Sequence, residues 1–337
     1  MNNLIVIGAS AGGVEALTRM LSDIPQGFPA AILIVMHIGQ HPSILPQILA
    51  RRCALPVSHA RHHEELKAGM VLIAPPDRHL LVEQHGTAWR TVVTRGPKEN
   101  HTRPAIDTLF RSAALSGGKH VIGVILTGYL DDGTAGLQAI KARGGKAMVQ
   151  DPADAIVPDM PRHALHQVAV DMSVPLAGMA GALVALVEAS AAPMTPQAAP
   201  APDWIDIENN FAMGLGNMDQ LKHIATPSQY SCPECGGALF QLNIRQPCRF
   251  RCHTGHSYTL LALVEQQDAA VEAALSSALR ALQEKESLAE QLAAELIGRS
   301  MFPEPGYAAL ARQARTDAGI LREVLSRQQG GSDGSED

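Results

Sequence analysis

The chain has 337 residues, with 27 Lys and Arg against 33 Asp and Glu, a formal net charge of -6 and 46% hydrophobic residues. A chain of this length buries at least one sizeable core and has room for two domains, while its mild acidity supplies no global basic field for nucleic acid or an anionic membrane. It runs from Met1 straight into an apolar segment with neither a secretory leader nor a transmembrane stretch, so a cytoplasmic protein is expected, with no nucleic acid partner and no membrane insertion.

In chain order, Leu4 to Ile7 reads as a strand and leads into Gly8-Ala9-Ser10-Ala11-Gly12-Gly13, after which a helix is expected near 13 to 22. Ala31 to Met36 is a second apolar run, with a helix near 43 to 52 behind it. Further strand-like segments are Val71 to Ala74, Leu80 to Glu83, Val121 to Leu126 and Lys146 to Gln150, and helices are expected near 104 to 115, 133 to 143 and 175 to 189. This alternation predicts an α/β fold, a doubly wound and mostly parallel sheet with helices on both faces. Functional residues then belong at the carboxyl edge of the strands.

Residues 189-203 collapse to an Ala/Pro-rich composition and read as an extended linker. Beyond it come a short Cys/His segment within 204-258 and two alanine-rich helical stretches within 259-329, broken by Pro303, Pro305 and Gly306. Residues 330-337 form a small polar, acidic tail expected to be disordered. Packing of the two stretches as an α-hairpin and homodimerisation through a small coiled coil both fit the spacing of Leu275, Leu279, Leu282, Leu292 and Leu296.

The first turn places Ser10 between glycines at a strand-to-helix elbow, the setting of a serine nucleophile. A phosphate-cradling turn is the competing reading, although Ser10 stands where a dinucleotide fingerprint has its second glycine. A serine needs a base, and the base needs a group to orient it. His37 follows the second apolar strand, and Asp131 and Asp132 lie in the turn after Val121 to Leu126, so all fall on the same predicted edge as Ser10. The order serine, histidine, acid differs from that of ordinary α/β-hydrolases.

With these residues in view, residues 1-188 resemble the catalytic domain of the chemotaxis-type protein-glutamate methylesterases. The matching stretches are Ile7 to Gly13, Val35-Met36-His37, Ile73 to His79, Arg103 to Phe110, Leu126 to Gly133 and Met160-Pro161-Arg162. The resemblance implies Ser10 as nucleophile, His37 as general base and then acid, and Asp132 as the orienting carboxylate, because the family's acid immediately precedes the glycine of that turn. It places the oxyanion-binding amides on Ala11 and Tyr129, the latter where many relatives have methionine, and it puts Leu130 where a glycine is common. His79, Arg103, Asp107 and Arg162 lie in matched motifs either as substrate contacts or as loop-fixing hydrogen bonders.

The implied activity is that of a serine carboxylic-ester hydrolase: removal of γ-methyl groups from glutamyl side chains of a chemoreceptor-like or other signalling protein, releasing methanol without a catalytic cofactor. A non-catalytic signalling scaffold and a protein-glutamine deamidase are the alternatives. Family members often carry a receiver domain ahead of the esterase, and this chain is expected to lack one, leaving regulation to its second half or to a partner.

In that second half, two residues separate Cys232 from Cys235, sixteen lie between Cys235 and Cys252, and three lie between Cys252 and His256. This is close to the spacing of small structural zinc ribbons, with Cys248 as a competing fourth ligand. Similar segments attached to receiver-less esterases lack a cysteine at that place and keep the later Cys and His, so the resemblance favours His256. Arg245, Arg249 and Arg251 are expected as solvated ribbon charges.

Overall fold

The computed structural model describes residues 3-86, 88-189, 203-244, 246-296 and 305-330. The expected linker and tail therefore lie almost wholly outside the described residues, as does Arg245. Two compact units are present, Met1–Leu263 and Val264–Asp337. No helix among the described residues is long and apolar enough to cross a membrane.

The first unit is built in chain order from β1 (Asn3–Ala9), α1 (Gly13–Ser22), β2 (Ala30–Met36), α2 (Leu45–Ala50), β3 (Val57–His59), β4 (Val71–Ile73), β5 (His79–His85), β6 (Ala88–Thr94) and α3 (Ile106–Gly117). It continues through β7 (Val121–Ile125), α4 (Thr134–Ala142), β8 (Lys146–Gln150), α5 (Asp159–Gln167), β9 (Met172–Val174) and α6 (Leu176–Ala189). Seven of these strands form one parallel sheet in the order β3-β4-β2-β1-β7-β8-β9.

The central strands are apolar at successive positions because both of their faces are covered. Leu4 and Val6 face a core with Ile106, Phe110, Leu137 and Met160, whereas Ile5 and Ile7 face one with Leu17, Met20, Leu45 and Leu183. Helices α3, α4 and α5 thus cover one face, and α1, α2 and α6 the other. The strand order reverses between β1 and β7, and loops leaving that switch point open a crevice at the carboxyl edge.

One expected strand takes a different place. Leu80 to Glu83 belongs to β5, which pairs antiparallel with β6 as a separate hairpin; its Leu80, Val82 and Trp89 pack on the α3 side of the core. After residue 203 come α7 (Asp203–Ala212), α8 (Met218–Ile224) and the strands β10 (Ala225–Ser231), β11 (Ala238–Leu242), β12 (Arg249–Cys252) and β13 (Ser257–Thr259), which form an antiparallel sheet in sequence order. The Asn217 side chain accepts from the Gln220 amide while the Gln220 side chain accepts from the Asn217 amide, a reciprocal cap that fixes the start of α8.

Two long helices, α9 (Leu260–Leu296) and α10 (Pro305–Gly330), supply the described part of the second unit. Arg315 bridges Glu286 and Glu290, so α10 lies against α9 as a hairpin. Among the described residues of the second unit, those buried are Ala289, Ala311, Ala314 and Ala318, which allow close approach of the backbones. The leucine spacing is not what the hairpin buries: Leu275, Leu279 and Leu282 are half-buried and Leu292 is exposed.

Candidate functional site

Ser10 follows the last residue of β1, and its amide donates to the Thr127 carbonyl at 3.0 Å, which ties the β1 turn to the end of β7. The close approach requires glycine on the facing loop, since a Cβ on Gly128 lies 2.7 Å from Ser10 Cβ. His37 follows β2, and its amide donates to the Ala9 carbonyl at 3.2 Å. Asp132 sits in the loop between β7 and α4.

The three side chains form one hydrogen-bond chain. Ser10 Oγ lies 3.2 Å from His37 Nδ1, and His37 Nε2 lies 2.8 Å from Asp132 Oδ2. The network assigns the imidazole proton to Nε2, because an ionised carboxylate only accepts; Nδ1 then accepts the Ser10 hydroxyl proton. The ring nitrogens thus serve in the opposite sense to the trypsin-type triad.

Asp132 is held as an anion. Its oxygens also accept from the amides of Ile106 (2.7 Å), Asp107 (3.2 Å) and Gly133 (3.0 Å), and from Asn100 Nδ2 (3.1 Å). Ile106 and Asp107 open α3, whose free amides and dipole favour negative charge. Burial acts to raise the Asp132 pKa, but the His37 hydrogen bond and charge, the Ile106 amide and the Asn100 amide outweigh it and hold the carboxyl below its ordinary range. Neighbouring Asp107 goes the other way: burial first, then the Asp132 charge, push its carboxyl well above the usual range.

Asp131 and Asp132, which local composition leaves as rivals, are separated by the fold. Asp131 turns away to accept from Thr259 Oγ1 at 2.7 Å, and only Asp132 meets His37. Leu130, at the position where the resemblance puts a glycine, adopts φ 62, the left-handed region that glycine enters without strain. Among the described residues neither the Ala11 nor the Tyr129 amide has an acceptor. A cavity of about 510 Å³ lined by Ser10, Ala11, Gly12, Val14, Glu15 and His37 opens at the serine.

Three of the accessory motif residues act as loop fixers. His79 is buried, donates from Nε2 to the Pro97 carbonyl at 2.9 Å and accepts at Nδ1 from the Ala105 amide at 3.3 Å. Arg103 donates to Asp77 Oδ1 and to the Gly96 carbonyl, and Asp107 accepts from the Gly136 amide at 2.6 Å. Arg162 is exposed and faces Asp159 at 3.9 Å.

A second cluster joins Cys232, Cys235, Cys252 and His256, whose ligand atoms all lie within 4.8 Å of one another. The Cys235–Cys252, Cys232–His256 and Cys252–His256 separations are each 3.7 Å. A tetrahedral zinc shell with bonds of about 2.3 Å to sulfur and about 2.0 Å to nitrogen has edges of about 3.5–3.8 Å, so the donor set fits that metal. Cys248 stands outside the cluster, accepting from Gln241 Nε2 at 3.4 Å. The Cys252 thiol is held below its ordinary range, first by its hydrogen bond with Cys232, and Cys232 is correspondingly pushed up.

Arg249 and Arg251 are not the solvated ribbon charges expected from sequence; they are 2% and 0% exposed. Arg249 pairs with Glu208 of α7, and Arg251 bridges Glu208 Oε1 at 2.9 Å and Glu99 Oε1 at 3.0 Å, while both Glu99 oxygens accept from the single Nη2 of Arg111 on α3. Burial is tolerated because each charge meets an opposite one with hydrogen-bond geometry. The partners Glu99 and Glu208 lie far away in sequence, so neither arginine has a local sign of this role.

A serine at an elbow, a histidine and an anion in series at the switch point of a doubly wound sheet have the chemistry of a serine hydrolase. The CheB methylesterase family model matches residues 5–183, over half of the chain, and the chain belongs to that family. A Leptospira interrogans protein provisionally named protein-glutamate methylesterase/protein-glutamine glutaminase is 43% identical over 168 residues, 50% of this chain and 86% of that protein. Protein-glutamate methylesterase/protein-glutamine glutaminase 5 of Myxococcus xanthus is 39% identical over 181 residues, 52% of this chain and 51% of its own; the chain thus spans about half of that relative. The crystal structure of the Thermotoga maritima CheB methylesterase catalytic domain aligns with a TM-score of 0.54 at 32% identity, covering 56% of this chain and all of that one.

Proposed function

We propose that the chain hydrolyses glutamyl γ-methyl esters on a signalling protein, chemoreceptor-like in its methylated glutamates, to glutamate and methanol. The observation that carries this reading is the unbroken hydrogen-bond chain from Ser10 through His37 to Asp132. Ser10 Oγ attacks the ester carbonyl while His37 Nδ1 takes its proton, and Asp132 stabilises the imidazolium that forms. The Ala11 and Tyr129 amides, which have no acceptor among the described residues, bind the oxyanion. His37 then returns the proton to the departing methoxide, and water, deprotonated by His37, cleaves the acyl-enzyme.

Labelling with a fluorophosphonate separates an enzyme from a non-catalytic scaffold: an adduct on Ser10 is expected, and intact protein with an unlabelled Ser10 overturns the reading. Deamidation of protein glutamine at the same site is the second reading, favoured by the double names of the relatives. Ammonia release from an unmethylated receptor fragment, set against methanol release from a methylated one, decides between them.

The proposal extends to a structural zinc ion held by Cys232, Cys235, Cys252 and His256. With all four positions filled by protein, such an ion cross-links its segment and has no open site for chemistry. One zinc per chain, lost on Cys235→Ser, is the expected metal analysis; protein purified without chelator and free of zinc contradicts it.

A further inference from the structure

The loop between β6 and α3 is knitted into the Cys/His segment residue by residue. Lys98 Nζ donates to Glu234 Oε1 at 2.8 Å, and His101 Nδ1 meets the same oxygen at 2.6 Å; Glu234 lies between Cys232 and Cys235. The Lys98 carbonyl accepts from the Ser257 amide at 3.2 Å, and the Asn100 amide donates to the Ser257 carbonyl at 2.8 Å, so the loop continues the sheet beyond β13. Glu99 accepts from Arg251, on β12 beside Cys252.

Asn100 is where these tethers meet the candidate triad. It is buried, with φ 49, a left-handed conformation that asparagine enters more readily than most side chains. Its Oδ1 accepts from the Thr259 amide at 2.9 Å, three residues after His256. With the oxygen engaged there, the amino group must face the opposite way, toward Asp132 Oδ1 at 3.1 Å and Asp107 Oδ2 at 3.4 Å. Thr259 Oγ1 meanwhile holds Asp131, so one residue of β13 sets both the amide that touches Asp132 and the acid next to it.

We infer that the Cys/His segment is an activating element acting in cis: by holding residues 98-101 it aims Asn100, a positioning residue, at Asp132, so that integrity of the metal site sets the competence of Ser10. The inference rests on the esterase reading above. Asp132 keeps four other donors when Asn100 is lost, so the anion persists and its placement is what suffers.

The test uses the full chain with its zinc, Asn100→Ala, Asn100→Asp, Cys235→Ser and the double variant Asn100→Ala/Cys235→Ser. Asn100→Asp keeps an acceptor for the Thr259 amide but sets a third carboxyl against Asp132 and Asp107, so thermal unfolding is measured for both Asn100 variants, and Asn100→Ala is the one that removes the donor without adding charge. For each Asn100 variant, unchanged zinc content, a kcat lower by about 10- to 100-fold, a KM within about twofold and a matching slowing of fluorophosphonate labelling at Ser10 are expected. Loss of zinc in Cys235→Ser gives the same slowing, with faster amide hydrogen exchange at residues 98-101 while β1 and β7 stay protected. The double variant is no slower than the worse single one, because both changes break one coupling.

Labelling that proceeds at the wild-type rate after zinc is lost, or additive losses in the double variant, overturns the inference alone. Unaltered exchange at 98-101 after zinc loss does the same without reference to activity. An unreactive Ser10 in the zinc-loaded wild type overturns the esterase reading, and the inference with it.

Discussion

At the scale of single residues, the role proposed for Asp132 rests on selecting a tautomer as well as on charge. Asp132→Asn keeps the side-chain shape, yet an amide facing His37 Nε2 no longer selects the tautomer that leaves Nδ1 free for Ser10. A fall in kcat of about 10⁴-fold is expected from steady-state ester hydrolysis, with the fold unchanged by circular dichroism. Leu130→Gly should stabilise the protein. Relief of a left-handed β-carbon, less the added entropy of the unfolded glycine, gives a gain of about 0.5–1 kcal/mol in urea denaturation. Ser10 and His37 were legible from the sequence because strand ends and glycine turns mark them locally. Composition alone left Asp131 and Asp132 as rivals, and the resemblance favoured Asp132 from its place before Gly133; the partner of Asp131 was out of reach, since Asp131 accepts from Thr259, more than a hundred residues away.

At the scale of elements, β1, β2, β7, β8 and the helices beside them follow closely from apolar runs and glycine turns, since strands buried on both faces have a pattern of their own. The β5–β6 hairpin escaped because a short apolar run has the same look whether it joins the main sheet or leaves it. The contact between α7, β12 and α3 was also out of reach, being made by charges. There Glu99 has its pKa governed first by burial, which raises it, and then by Arg111 and Arg251, which prevail and hold it at about 2. Against about 4.3 in the unfolded chain, this contributes stability above pH 4.3 that is lost as the pH falls toward 2. Thermal unfolding should accordingly move to lower temperature across that window. Glu99→Gln should flatten that part of the acid dependence and destabilise the protein at neutral pH by about 3–5 kcal/mol, since it leaves two buried arginines short of a partner.

For the whole molecule, the family match ends at residue 183, and yet the first compact unit runs to Leu263. The α7 to β13 region is thus joined to that unit through buried charge pairs and a shared sheet edge. Zinc removal by a strong chelator should lower the unfolding temperature of this unit and lessen the protection of residues 228-258, both restored by stoichiometric zinc; an unfolding profile indifferent to chelation contradicts a structural metal. The most direct test of the central claim is methanol release from a γ-methylated receptor fragment by the full chain and by Ser10→Ala. The wild type should release methanol, with the rate falling by about 10⁴-fold or more in the variant. Release at the same rate by both proteins would contradict a nucleophilic Ser10.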